Sequence, residues 1–346
     1  MTPPRQSHID ALKVTASQVI VWHHLSAYGP VADALRAGWP DLLAWLYDYG
    51  RMAVQVFLVL GGFLALPGLL KALSGSTHPL ALVGARYRRL VPPFLLAMLV
   101  AAAAGVLTRP WLGTELAGAP VDVWQVLTHA LLLHDVLDQA SLSAGVWYVA
   151  IDFQLYTLLV LLLWLGLRTR RATIALGLAA LATAASLLWW NRDGDLDALA
   201  LYFMGAYGLG VLARTVRQQP NTGWRLLGLA CLAALSGLAL WMEWRTRVAL
   251  ATGVALWLAW SPLRAGRLLP EGLGRGLAAL GRSSYALFLL HYPVLLLGNA
   301  VWTASGGASP QSALAMAGVV WSASVGLGLL FERLVEQPLA RRLQMS

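Results

Sequence analysis

The stretch IDALKVTASQVIVWHHLSAY, residues 9–28, decides how this chain is read. It is apolar enough for a membrane helix, yet it carries Asp10, Lys13, Ser17, His23 and His24. At about 100° per residue, the spacing from Lys13 to His24 falls within roughly 20° of three full turns, so both share one face, about 16 Å apart along the axis. Asp10 and Ser17 fall near the same stripe, and His23 is turned roughly 100° away. Ionisable groups inside a membrane helix are costly and face a protein interior or a wet cavity. A neutral imidazole accepts a proton near physiological pH. A lysine anchor at the membrane surface and a histidine bonded to a neighbouring helix account for this stretch equally well when it is taken alone.

The rest of the chain sets the context. Its 346 residues are 58% hydrophobic and 12% charged, about half the charge of a soluble domain. Apolar runs recur from end to end and predict an all-α, polytopic integral membrane helix bundle in one domain. About ten spans are expected, near 11–29, 51–73, 90–108, 147–167, 172–190, 197–214, 224–243, 246–262, 278–300 and 313–335. Lys71, Arg86, Arg88, Arg89, Arg168, Arg170, Arg171, Arg214, Arg217, Arg225, Arg264, Arg267, Arg275, Arg341 and Arg342 then fall on one side. The positive-inside rule makes that side, and both termini, cytoplasmic. The net charge of +9 is therefore a topology signal rather than a nucleic-acid one. Cys231 is the only cysteine, so no intrachain disulfide or cysteine metal cluster is possible. The first apolar stretch has no small-residue cleavage site and reads as a spanning helix rather than a signal peptide.

Two longer gaps lie on the opposite side. One holds the amphipathic run WPDLLAWLYDYG, and the other holds VWQVLTHALLLHDVLDQ, which reads as a helix lying in the interface. His129, His134 and Asp135 read there as solvated residues, since their spacing lacks the i, i+4 histidine pair of a metal site.

Five stretches carry the remaining chemistry. VQVFLVLGGFLALPG, residues 54–68, places Gly61 and Gly62 in mid-span, where they permit close helix approach. RYRRLVPPF, residues 86–94, sets Arg86 and Arg89 ahead of Pro92 and Pro93, which read as the start of the next helix. Such arginines are a topology signal, or an anion site for a phosphate-bearing donor. WYVAIDFQLYTL, residues 147–158, lines Tyr148, Asp152 and Tyr156 along one face, with Trp147 and Gln154 on another. A carboxylate at the depth of Asp152 wants a cation or a hydrogen-bonded imidazole. LGRSSYALFLLHYPVLL, residues 280–296, puts Ser284 and His291 on one face with Arg282 and Tyr285 at its edge. His291 alone reads as a structural histidine. FERLVEQPLARRL closes the chain with Glu332 and Glu336 in an ion-pair cluster.

Together these stretches resemble the membrane acyltransferase 3 family, bacterial multi-pass enzymes that O-acylate sugars and other hydroxyl compounds. Lys13 to His24, with Asp10 three residues earlier, is similar to the family's Arg-x10-His signature. VFLVLGGFL resembles its FFVLSGFL, RYRRLVPPF its RxxRLxPP stretch, WYVAIDFQLY its WxLxxExQFY pattern and LGRSSYALFLLHYPV its LGxxSYxxYLxHxP pattern. The matches run from residue 10 to about 340 in the family's order. Lys13 stands for the usual Arg and loses its planar fork; Asp152 stands for Glu, and Gly61 for Ser.

The resemblance implies a bacterial inner-membrane O-acyltransferase with no bound cofactor or metal. Its donor would be acyl-CoA, acetyl-CoA above all, and its acceptor a hydroxyl of a glycan or glycolipid. His24 would be the general base on the acceptor hydroxyl or, on a covalent path, the acyl carrier, and Asp152 would orient or charge-tune an imidazole. Asp10, Lys13, Arg86, Arg89, Trp147, Gln154, Tyr156, Ser284, Tyr285 and His291 would line the substrate path. The rival from another class is a secondary transporter or flippase, against which no pair of matching broken helices appears in the two halves.

Overall fold

Polar groups on a helix must find protein partners where water is absent, and this governs which helices of the chain face outward. The computed structural model describes residues 7–261 and 271–345; Arg264 and Arg267 lie outside them. The helices run in the order α1 (Ser7–Ala27), α2 (Pro30–Gly38), α3 (Pro40–Gly50), α4 (Val54–Ser74), α5 (Pro79–Ala117, broken by a kink at Gly113), α6 (Val123–Ala130), α7 (Trp147–Leu167) and α8 (Ala172–Leu188). They continue with α9 (Ala200–Arg217), α10 (Thr222–Met242), α11 (Thr246–Trp260), α12 (Glu271–Arg282), α13 (Ser284–Ala304), α14 (Pro310–Phe331) and α15 (Gln337–Met345). No strand occurs among the described residues.

Among the described residues, seven helical stretches are long and apolar enough to cross a membrane. The other three expected spans correspond to α1, α9 and the 15-residue α11. In α1, acidic, basic and imidazole side chains lower the hydropathy. In α9, buried residues are 13 of 18, so it is lined by protein and needs no lipid-facing surface. The best-exposed span runs the other way: in α10 only 17% of the most apolar window is buried.

The chain divides into two compact units. The first comprises residues 1–53, 88–147 and 266–346. Its apolar core joins α1, α2, α3, α13 and α14 through residues such as Val21, Leu35, Leu43, Leu287, Leu295 and Val320. Asn299 of α13 accepts from the first amide of α2, that of Val31, at 2.9 Å. Arg36 of α2 donates to the Ser26 carbonyl at 3.0 Å. These bonds satisfy groups that a helix end leaves open, and they fix the chain leaving α1.

The second unit comprises residues 54–87 and 148–265. There α4 lies directly against α9. A Cβ at Gly62 would sit 2.0 Å from the Tyr207 carbonyl oxygen, and one at Gly210 1.9 Å from that of Val59. The packing role expected of the glycine pair is given at Gly62 by backbone approaching backbone, while Gly61 packs on the Tyr207 side chain.

Three local expectations are corrected. Pro92 and Pro93 lie inside α5, which begins at Pro79. The arginines before them are therefore on a helix rather than ahead of one. The run from Val123 is helical only to Ala130. Beyond it Leu132 and Asp138 take positive φ values of 58° and 51°, which no continuous helix admits. The ninth expected span breaks at Ser283, between α12 and α13.

The break after α6 also changes the reading of its histidines, which are buried at 0% exposure rather than solvated. The rings of His129 and His134 stack with centroids 4.1 Å apart. His129 Nδ1 faces the Gln125 carbonyl at 2.8 Å, and its Nε2 accepts from the Leu142 amide at 3.1 Å. A neutral imidazole satisfies both bonds. Burial, and then the neighbouring His129, push His134 down to about 3.

Gly62→Ala should lower stability by roughly 1–3 kcal/mol through overpacking. Gly68→Ala on the same helix, with nothing within 4 Å of its Cβ position, should not; melting in detergent compares the two. His134 is neutral when folded and takes a proton when unfolded below about 6.5. Stability should therefore fall as pH drops from about 6.5 toward 3, by up to about 1.4 kcal/mol per unit. His134→Phe should flatten the decline in melting temperature between pH 7 and 5.

Candidate active site

α1 delivers two adjacent histidines to the inside of the first unit, and both are buried. His23 Nδ1 faces the Leu46 carbonyl of α3 at 3.0 Å. His24 meets α13 instead. Its Nδ1 lies 2.5 Å from Nε2 of His291, with ring planes within 6° of each other. His291 Nδ1 lies 3.1 Å from the Leu287 carbonyl oxygen.

These distances assign the protons. A carbonyl oxygen only accepts, so His291 carries its proton on Nδ1 and presents a lone pair at Nε2. His24 must then donate from Nδ1, which leaves the lone pair of its neutral ring on Nε2. The assignment rests on the hydrogen-bond network. A ring held in one tautomer by a partner behind it is the arrangement of an oriented general base.

The surroundings of His24 are close and mostly aromatic. The Tyr28 ring, just past the end of α1, lies 5.5 Å away, and Tyr292 packs edge-on against Tyr28. Tyr292 donates to the Leu116 carbonyl at 3.1 Å. Gly145, in the loop before α7, also lies against the ring. A Cβ there would lie 3.4 Å from His24 Cε1 and 3.2 Å from Phe288 Cζ, and its φ of +83° favours glycine. Gly145 was not singled out from the sequence; a glycine just ahead of WYVAIDFQLY is its only local signal. An apolar cavity of about 250 Å³, lined by Trp22, Leu25, Leu43 and Leu46 among others, adjoins α1. It offers room for hydrocarbon but almost no polar group for chemistry.

At the other end of α1, Lys13 is half-buried, within electrostatic reach of Asp10 and Arg89. Asp10 packs on Gly281 of α12, and Arg89 is exposed on α5. Ser284 donates to the Gly281 carbonyl at 3.0 Å, and Tyr285 to the Leu90 carbonyl at 3.2 Å. Trp147, the first residue of α7, is half-buried. Glu332 accepts from Gln337 and faces Arg282 at 3.4 Å, whereas Glu336, expected in the same ion-pair cluster, keeps its Oε1 buried without a hydrogen-bond partner.

In the second unit the carboxylate of Asp152 is 5% exposed and pairs with the Arg86 guanidinium. Of the two partners its depth called for, the protein supplies the cation. Arg86 also lies 5.2 Å over the Tyr156 ring. Tyr207, fully buried on α9, completes this group. A Cβ at Gly61 would meet Tyr207 Cε2 at 2.8 Å and Asp152 Oδ1 at 3.4 Å. The serine that the family motif carries at this position would therefore crowd the ring. Tyr207 was missed from the sequence, where it reads as one more apolar-helix aromatic. Gln154 is half-buried on α7. Within each unit one such pairing is seen, His24 with His291 in the first and Asp152 with Arg86 in the second.

Nitrogen-15 NMR of histidine-labelled protein should find His291 protonated on Nδ1 and His24 unprotonated on Nε2. In His291→Ala the fixed His24 signature should collapse to a tautomer mixture.

Neither the curated proteins nor the solved structures hold a match to this chain. A family model does match: the acyltransferase domain of the acyltransferase 3 family aligns with residues 7–331. That alignment covers both histidines of the paired centre, the Asp152–Arg86 pair and all seven apolar stretches but the last turns of the final one. On this coverage the chain is a multi-pass membrane protein that belongs to the acyltransferase 3 family.

Proposed function

We propose that the chain is an O-acyltransferase that moves an acyl group from acyl-CoA to a hydroxyl of a glycan or glycolipid, in the inner membrane of a bacterium. The observation that carries this reading is the His24–His291 pair, which leaves the second nitrogen of a buried residue's imidazole with its lone pair directed away from its partner. Nε2 of His24 takes the proton from the acceptor hydroxyl as its oxygen attacks the thioester carbonyl. The tetrahedral intermediate collapses with cleavage of the carbon–sulfur bond, and the CoA thiolate recovers the proton from His24. His291 shares the positive charge that His24 carries between these steps, through the same hydrogen bond.

Lys13 takes the role of placing positive charge toward the donor. It stands about 16 Å along the helix from His24, so donor phosphates and acceptor hydroxyl occupy different depths. Asp152 and Arg86 act here as a neutralised pair that holds α5 to α7, rather than as orienter and phosphate ligand. Membrane burial makes such a pair costly to break from one side, because the remaining charge is left without a partner.

His24→Ala should reduce transfer of labelled acetyl from acetyl-CoA to a hydroxyl acceptor by about a hundredfold or more in purified protein. Size-exclusion elution and helix content should stay unchanged, and retained transfer would remove His24 as the base. His291→Ala should lose less, since it removes the orientation and not the nitrogen that takes the proton. Mass spectrometry of envelope glycans with and without the protein identifies the acceptor as the species that loses an ester mass.

A further inference from the structure

Three arginines converge at the C-terminal end of α9 in the second unit, and no carboxylate meets them among the described residues. Arg217 is 7% exposed. Its one bond is to the Leu258 carbonyl at 3.3 Å, and its Nε and one Nη are buried with no hydrogen-bond partner. Arg214 sits one turn earlier on the same face. The two guanidinium carbons lie 5.2 and 5.5 Å from the Phe63 ring centroid. Arg225, from the start of α10, is within electrostatic reach of Arg217. It donates to the Ala259 carbonyl at 3.0 Å and packs over the Trp260 ring. Arg214 and Arg225 each also keep a buried Nε without a partner.

The same unit shows what a buried arginine of purely structural purpose looks like. Arg245 is 6% exposed, and it donates to the Asn191 side chain and the Leu187 carbonyl at 2.8 Å and to the Ala239 carbonyl at 3.2 Å. Arg217 is as deeply buried and has one long bond. A buried charge that lacks a partner is strongly unfavourable, and three like charges repel. The α9 C-terminus offers about half a negative charge, too little to offset three cations. Aromatic faces supply weak attraction and no acceptors.

We propose that Arg214, Arg217 and Arg225 form a binding site for a phosphate group. Planar guanidinium forks match phosphate oxygens two at a time. A phosphomonoester carries about −1.5 to −2 charges, closer to three arginines than one carboxylate is. This side of the chain is the one that the arginine distribution assigns to the cytoplasm. Two phosphate sources are present there: the nucleotide end of an acyl-CoA and the headgroup of an anionic phospholipid. The first source rests on the acyl transfer proposed above; the second does not.

The test measures binding without turnover, so it stands apart from the fate of His24 as a base. Full-length protein in nonionic detergent is titrated with adenosine 3′,5′-bisphosphate. In parallel it is presented with phosphatidylcholine vesicles with and without phosphatidylglycerol. At least one probe should bind the wild-type protein and raise its melting temperature. Arg217→Gln should weaken that probe by about ten- to a hundredfold and leave the unliganded melting temperature unchanged or higher, since an unpartnered charge is removed. Arg217→Lys should recover part of the affinity. Arg214→Gln gives the same reading should Arg217→Gln fail to fold. Weakening of the bisphosphate identifies the donor, and weakening of the phosphatidylglycerol response identifies the lipid. Binding of neither probe to wild type, or equal binding by the variants, overturns the site.

Discussion

Hydrocarbon offers no hydrogen bonds, so each polar group carried into it must be met by protein, and that constraint arranges this molecule. α10, with only 17% of its most apolar window buried, faces outward. The helices bearing ionisable groups or tight glycine contacts, α1 and α9, are wrapped by neighbours. A hydropathy scan ranks helices by fitness for lipid. It therefore passes over the two helices on which most of the chemistry-bearing residues depend, and both are interior for the same reason that they score poorly.

Within each unit the constraint is met by pairing. In the first, a carbonyl fixes His291 and His291 fixes His24, so a chain of two imidazoles ends in a single lone pair. In the second, Asp152 and Arg86 neutralise each other beneath Tyr207. Both pairings require close helix approach. Gly145 lets a loop reach the His24 ring, and Gly61 makes room for Tyr207. Small residues thus set the distances, and polar residues use them. The arginine group at the end of α9 departs from this, since Arg217 is 7% exposed and two of its nitrogens have no partner.

Much of this was legible before any coordinates. Composition and apolar runs gave a polytopic all-α membrane protein. The eleven-residue spacing from Lys13 to His24 placed both on one face. The depth of Asp152 demanded a cation or an imidazole, and the glycine pair predicted backbone contact. The ordered stretches resembling the acyltransferase 3 family agreed with a family match over residues 7–331. Boundaries were less legible. Pro92 and Pro93 read as a helix start because proline is favoured there, yet a helix held by its neighbours tolerates them inside. The run after Val123 read as one helix because its periodicity continues past the point where Leu132 turns the backbone.

The sequence by itself determined the class of molecule, because the cost of exposing apolar or burying polar surface is local and adds up along the chain. It also determined which helix faces carry chemistry, because helical periodicity is fixed by backbone geometry. Partner choice was left to the tertiary structure. His24 meets His291 across 267 positions of sequence, Asp152 meets Arg86 across 66, and Arg217 meets no carboxylate among the described residues. Such pairings depend on how helices cross in space, and a spacing along one chain carries no information about the angle or depth of that crossing.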